Sequence, residues 1–234
     1  MLYSLLKSSL LFCALTFALP TMAQVEGPAV AVEKAPFHVP VFRNEYVALL
    51  NVYIPPGRVA GYHTHSLDQI SVLVSDADMV GQVWGEQPGP ARRNPRGNVG
   101  FTPYSKKPMT HKVSNVGPTP FNNIVIALVY PEPGRFSAGF RSEVAAYAQV
   151  LDNERVRGWR LVLEPGQSAA AITQKAPGIR VVIAGGEIVE SVSGEAERGM
   201  APKTGEFFWQ EAGATRAVRN SGTTRIEFVE FELR

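Results

Sequence analysis

The chain is a duplication, and no other feature of it restricts the fold so strongly. At an offset of 109 residues Val41 matches Val150, Asn44-Glu45 matches Asn153-Glu154, Val47 matches Val156, and Pro56-Gly57 matches Pro165-Gly166. A four-residue deletion brings the offset to 105, and Gly100, Asn115, Gly117 and Thr119 then match Gly205, Asn220, Gly222 and Thr224. Matches that hold one register over so many positions mark two copies of one structural unit. Whatever the first copy folds into, the second folds into as well.

The unit is all-β. Residues 45–54, 69–74, 79–84, 113–116 and 122–130 are short runs of β-type composition, and the second copy repeats them at 156–163, 179–184, 206–209 and 225–233. Pro55-Pro56-Gly57, Ser75-Asp76-Ala77-Asp78 and Gly117-Pro118-Thr119-Pro120 separate the runs as turns. Many short strands at this spacing predict a sandwich or barrel. Residues 24–39 are small, apolar and proline-containing, and are expected to form an extended arm. The copies are assigned to residues 40–131 and 150–234, with 132–149 as a linker that carries a short helix over 142–148. Residues 85–97 are expected to be a long loop, which places the basic Arg92-Arg93-Asn94-Pro95-Arg96 in solvent.

The N-terminus reads as a secretory signal over residues 1–23. Lys7 is its one charge, an apolar run covers 8–19, Pro20 breaks it, and Thr21-Met22-Ala23 supplies the small residues of a cleavage site near Ala23. The run is shorter than the about 20 apolar residues a membrane span needs. A periplasmic or secreted protein with no membrane attachment after cleavage is the expectation. The only cysteine, Cys13, lies in the signal, so stability must come from packing, and the 45% hydrophobic content is ample for it. Cleavage removes Lys7 and no acid, leaving 22 basic against 21 acidic residues. Such a balance gives no support to nucleic-acid binding.

Three of the four histidines carry the chemistry. On a strand, residues two apart project to one face, so His63 and His65 point together, and His111 answers them from downstream. Two parallel imidazoles plus a third from another strand make half an octahedron around a metal. Tyr62 and Thr64 alternate with the histidines and face away. His38 belongs to no motif and is read as an ordinary polar residue.

With these residues in place the chain resembles the cupin superfamily. Gly57-x5-His63-x-His65-x3-Gln69 fits the family's first motif and Gly100-x10-His111-x3-Asn115 its second. The departures are Gln69 at the carboxylate position, Asp76 for the closing glycine, Lys106 for proline and Pro108 for glycine. The second copy keeps Gly166, Gly185, Gly205 and Asn220, but has Ile172, Gln174, Gly178 and Arg216 where the ligands would be.

The resemblance implies a bicupin: two tandem cupin barrels of the double-stranded β-helix, or jelly-roll, type. The first would hold one divalent transition metal (Fe, Mn, Ni, Zn or Cu) through His63, His65, His111 and Gln69. Gln69 has two readings that stay open here: a ligand through its neutral carbonyl oxygen, or a hydrogen-bonding partner behind the ligands. Either leaves the metal its full charge and favours anionic partners. The activity implied is dioxygenation or isomerisation of a small anionic or carbonyl compound; the rival is a non-catalytic small-molecule-binding or interaction module. Tyr53, Tyr104 and Lys112 are candidate wall residues. Arg216 has two readings: a purely structural residue of the second barrel, the commoner case, or one that points into that barrel and binds an anion or pairs with an acid. That barrel would pack on the first or form a homodimer face.

Overall fold

The computed structural model describes residues 27–131 and 133–234, so the expected signal over residues 1–23 and Cys13 lie outside the described residues. The first copy contributes β1 (Val30–Ala31), β2 (His38–Arg43), β3 (Val47–Ile54), β4 (Val59–His65), β5 (Gln69–Leu73), β6 (Ala77–Val83), β7 (Arg92–Asn94), β8 (Val99–Thr102), β9 (Met109–Asn115) and β10 (Phe121–Leu128). These pair as two five-stranded sheets, β1-β4-β9-β6-β7 and β2-β3-β10-β5-β8. The second copy contributes β11 (Tyr147–Asp152), β12 (Val156–Leu163), β13 (Ile172–Thr173), β14 (Gly178–Ala184), β15 (Ile188–Val192), β16 (Arg198–Met200), β17 (Phe207–Gln210), β18 (Thr215–Asn220) and β19 (Ile226–Leu233). Its sheets are β11-β12-β19-β14-β17 and β13-β18-β15-β16.

The residues common to both copies are the builders of the turns. Asn115 donates from Nδ2 to Ile54 O (2.9 Å) and Thr119 O (2.8 Å), and its Oδ1 accepts from Gly117 N. Asn220 does the same with Leu163 O (2.9 Å), Thr224 O (2.8 Å) and Gly222 N. Asn44 Oδ1 accepts from the amides of Tyr46 and Val47, as Asn153 Oδ1 does from those of Arg155 and Val156. Gly57 and Gly166 take φ of 69° and 79°, a region open to glycine, and their amides donate to Asn115 O and Asn220 O. Each matched asparagine thus satisfies backbone groups that the turns take out of the ladders.

Three expectations change. Residues 142–148 form no helix: Val144 N bonds Arg141 O, Tyr147 N bonds Val144 O, and Ala146 has φ of 75°, which ends any right-handed turn. The stretch 85–97 is not wholly loop, since β7 pairs with β6 from Ala77↔Asn94 to Met79↔Arg92. The arm residues are built into the first barrel: β1 runs parallel to β4, a 3-10 turn covers Val32–Lys34, and β2 starts at His38.

The two barrels pack face to face. Val47, Leu49, Ile70, Val72, Ile124, Ile126 and Leu128 of the first meet Val156, Ile179, Val181, Val229, Phe231 and Leu233 of the second in one apolar layer. A buried ion pair crosses beside it, Arg155 Nη1 to Asp68 at 3.2 Å, with Ser105 N and Oγ also donating to Asp68. Each barrel keeps a smaller apolar core inside, around Leu50, Val52, Ile54, Ala60, Met79 and Val125 in the first and Leu161, Leu163, Val182, Ile188 and Phe228 in the second. Strand β19 therefore has all 8 residues buried, Glu227, Glu230 and Glu232 among them, because both faces are covered. Phe231→Ala leaves a void in the shared layer; a loss of about 3–5 kcal/mol is expected, read as a lowered urea midpoint for both barrels together.

Candidate metal centre

The histidines are brought together by a defect in the strand that carries two of them. Between Ala60↔Val113 and His63↔His111, β4 advances three residues while β9 advances two. This β-bulge at Gly61 and Tyr62 re-phases the alternation, so Ala60, His63 and His65 all face inward. Tyr62 turns outward against Trp84 (ring centroids 4.6 Å), with the Lys112 ammonium 5.0 Å from its ring.

The three Nε2 atoms converge: His111 Nε2 lies 3.1 Å from His63 Nε2 and 3.1 Å from His65 Nε2. Each of the first two rings is fixed from behind. His63 Nδ1 donates to Gly61 O at 2.8 Å, the carbonyl of the bulge, and His65 Nδ1 donates to Gln69 Oε1 at 2.8 Å. An amide oxygen only accepts, so the proton sits on Nδ1 and the lone pair on Nε2 faces the shared point. Three inward nitrogens cannot satisfy one another, because a proton on His111 Nε2 answers only one of two facing lone pairs. A cation answers all three. Imidazole nitrogens about 2.1 Å from a metal and at right angles around it lie about 3.0 Å apart, so the two 3.1 Å spacings fit His63–His111 and His65–His111 as neighbouring ligands of one ion.

Burial makes the centre basic only in the sense of lone pairs. Desolvation is the main cause that lowers the pKa of His63 to about 3, with repulsion from His111 adding to it, and of His65 and His111 to about 4 each. All three are neutral at pH 7, the form that binds metal.

Gln69 stands at the start of β5 opposite Ala127 and Thr102, and its oxygen is turned to the His65 ring. Asp68 is tied to Arg155 and Ser105 and points away. Of the candidate wall residues, Tyr104 is placed at the centre: buried, it stacks on His65 with centroids 4.8 Å apart and 19° between planes. Tyr53 is 46% exposed and Lys112 lies on the outer face. His38 was not singled out by any motif, yet it packs on His63 with centroids 4.6 Å apart and donates from Nδ1 to Pro36 O. Its pairing with Val52, an inward residue, puts all four histidines in one interior. Alternation carried back from β3 would have found it, had the strand not been assigned to the arm.

The second barrel brings Ile172 opposite Arg216, as the first brings His63 opposite His111. Gly178, at the place of Gln69, has no room for a side chain: a Cβ there would lie 1.8 Å from Phe231 O.

No family model matches the chain, and no curated protein matches it. Solved structures do. AerE from Microcystis aeruginosa superposes with a TM-score of 0.55 at 12% identity, covering 86% of this chain and 98% of that one. A salicylate 1,2-dioxygenase from Pseudaminobacter salicylatoxidans gives 0.56 at 14%, covering 80% and 71%. An oxalate decarboxylase variant from Bacillus subtilis gives 0.55 at 12%, covering 83% and 71%. At such identities the likeness is one of fold, and the fold is that of the bicupins. This chain has a two-barrel cupin fold, with a three-histidine cluster in its first barrel alone among the described residues.

Groups held neutral in the folded state but protonated in the unfolded chain make stability depend on pH. The unfolded chain binds more protons below the ordinary histidine value of 6.5, so stability is complete above it and falls as pH drops towards about 3. The urea midpoint of chelator-treated protein should fall over that window, with a shallower slope in His111→Leu.

Proposed function

We propose that the protein is an exported metalloprotein whose first barrel holds one divalent transition metal through His63, His65 and His111, and which acts on a small anionic or carbonyl compound. The observation that carries the reading is the meeting of His63, His65 and His111, with His111 Nε2 3.1 Å from Nε2 of each of the other two and those two rings locked from behind by carbonyl oxygens. A metal bound there supplies a Lewis acid with open positions and, for a redox-active ion, a route to oxygen chemistry.

The protein's own residues define the rest. Gln69, hydrogen-bonded to His65, sets the ring's tautomer and angle and contributes no negative charge, so the centre keeps an affinity for anions. A cavity of about 300 Å³ reaches His65 and Gln69, with Ala48, Leu50 and Ala127 along it and the exposed Arg43 and Glu33 at its rim. Its size suits a small organic acid. Tyr104 covers one face of His65, and burial holds its hydroxyl protonated well above pH 7, so it is a donor at the edge of the centre. Dioxygenation or isomerisation is the reaction class in view. The fold shared with a salicylate dioxygenase and an oxalate decarboxylase supports the choice of small carboxylates as first substrates to try.

Elemental analysis of the mature protein should find about one metal per chain, lost in His63→Ala and His111→Ala. Gln69→Ala should retain the metal with affinity weaker by about 10–100-fold, and X-ray absorption should count three imidazoles in both. Metal-free protein from aerobic and anaerobic preparations alike would refute the reading. Oxygen uptake with a panel of small carboxylates tests the chemistry.

A further inference from the structure

The second barrel repeats the polar half of the first with arginines and carboxylates in place of histidines. Arg216 of β18 takes the place of His111, and Tyr147, opposite Leu161, takes that of His38, opposite Val52. Into the same interior come Arg141 from the linker and Arg180 from β14, all three arginines at most 8% exposed. Three carboxylates face them, and Arg141 and Arg180 take up all three. Arg180 Nε binds Glu230 and its Nη1 binds Glu190, each at 2.7 Å. Arg141 pairs with Glu230, with Glu232 at 3.1 Å, and with Gln174 Oε1 at 2.9 Å. Burial pushes the Glu230 carboxyl up, but Arg180 and Arg141 overcome it and hold the pKa at about 2.

Arg216 is left over. Among the described residues no carboxylate forms an ion pair with it and no oxygen accepts from its guanidinium; its Nε is fully buried without an acceptor, as is Nη2 of Arg180. Burial, and then repulsion from Arg180, lower its pKa. A buried N–H without an acceptor is costly, and the Nε of Arg216 is one.

We propose that Arg216 anchors a small-anion site in the second barrel, at the place corresponding to the first barrel's histidines, and that its ligand is a monocarboxylate. A carboxylate matches the guanidinium fork with two parallel hydrogen bonds. Arg216 is the one guanidinium of the three without a carboxylate partner, so a single carboxylate completes the pairing. The site does not depend on the metal reading of the first barrel.

Calorimetric titration and thermal denaturation of the full mature chain with formate, acetate, chloride and sulfate at matched ionic strength test this. In His111→Ala, whose first barrel holds no metal, formate or acetate should bind saturably at one site per chain and raise the melting temperature. Affinity should fall at least tenfold in Arg216→Lys and vanish in Arg216→Met, which should also melt higher than the wild type in anion-free buffer. No saturable binding to the wild type, binding lost in His111→Ala, or equal affinity in Arg216→Lys each overturns the proposal, and the last decides it even where Arg216→Met does not fold.

Discussion

The apolar layer between the two barrels is the contact on which the rest of the molecule depends. It buries one face of β3, β5 and β10 against one face of β12, β14 and β19, and so supplies hydrophobic stabilisation outside both barrel interiors. With cohesion provided there, and by one apolar end inside each barrel, the other end of each interior is released from packing duty. Polar side chains gather in that end, in both copies.

What gathers differs in sign. In the first barrel burial strips histidines of protons, leaving lone pairs aimed at one point. In the second, burial does not discharge arginine, so carboxylates must accompany it, and Glu190, Glu230 and Glu232 do so. One scaffold thus solves the problem of a polar interior twice, once with neutral acceptors that call for a cation and once with an ion-pair network that leaves one guanidinium without a partner.

Much of this was legible in the sequence. The duplication announced two like barrels, and the period of two put His63 and His65 on one face. The asparagines and glycines matched because the turns need them. The bulge was not legible: alternation alone places Ala60 on the face opposite His63, and only the ladder shows the extra residue. Nor was His38, hidden in a stretch whose composition suggested an arm. The role of Gln69 was open because carbonyl ligation and hydrogen bonding use the same oxygen, and the geometry turns that oxygen to His65. The helix expected at 142–148 failed because Arg141 is drawn into the second barrel by Glu230 and Glu232, a tertiary pull that local propensity does not register.

Gly178 gives the divergence of the two copies a direction. Where the first barrel has Gln69, the second has let Phe231 O of β19 come so close that even a methyl group is excluded. Exchanging side chains at Ile172, Gln174 and Arg216 would therefore supply three imidazoles without the support behind them, because the backbone itself has closed over the fourth position. The difference between the copies works as a ratchet: side chains are reversible one codon at a time, whereas a main chain that has moved into the space holds the specialisation in place.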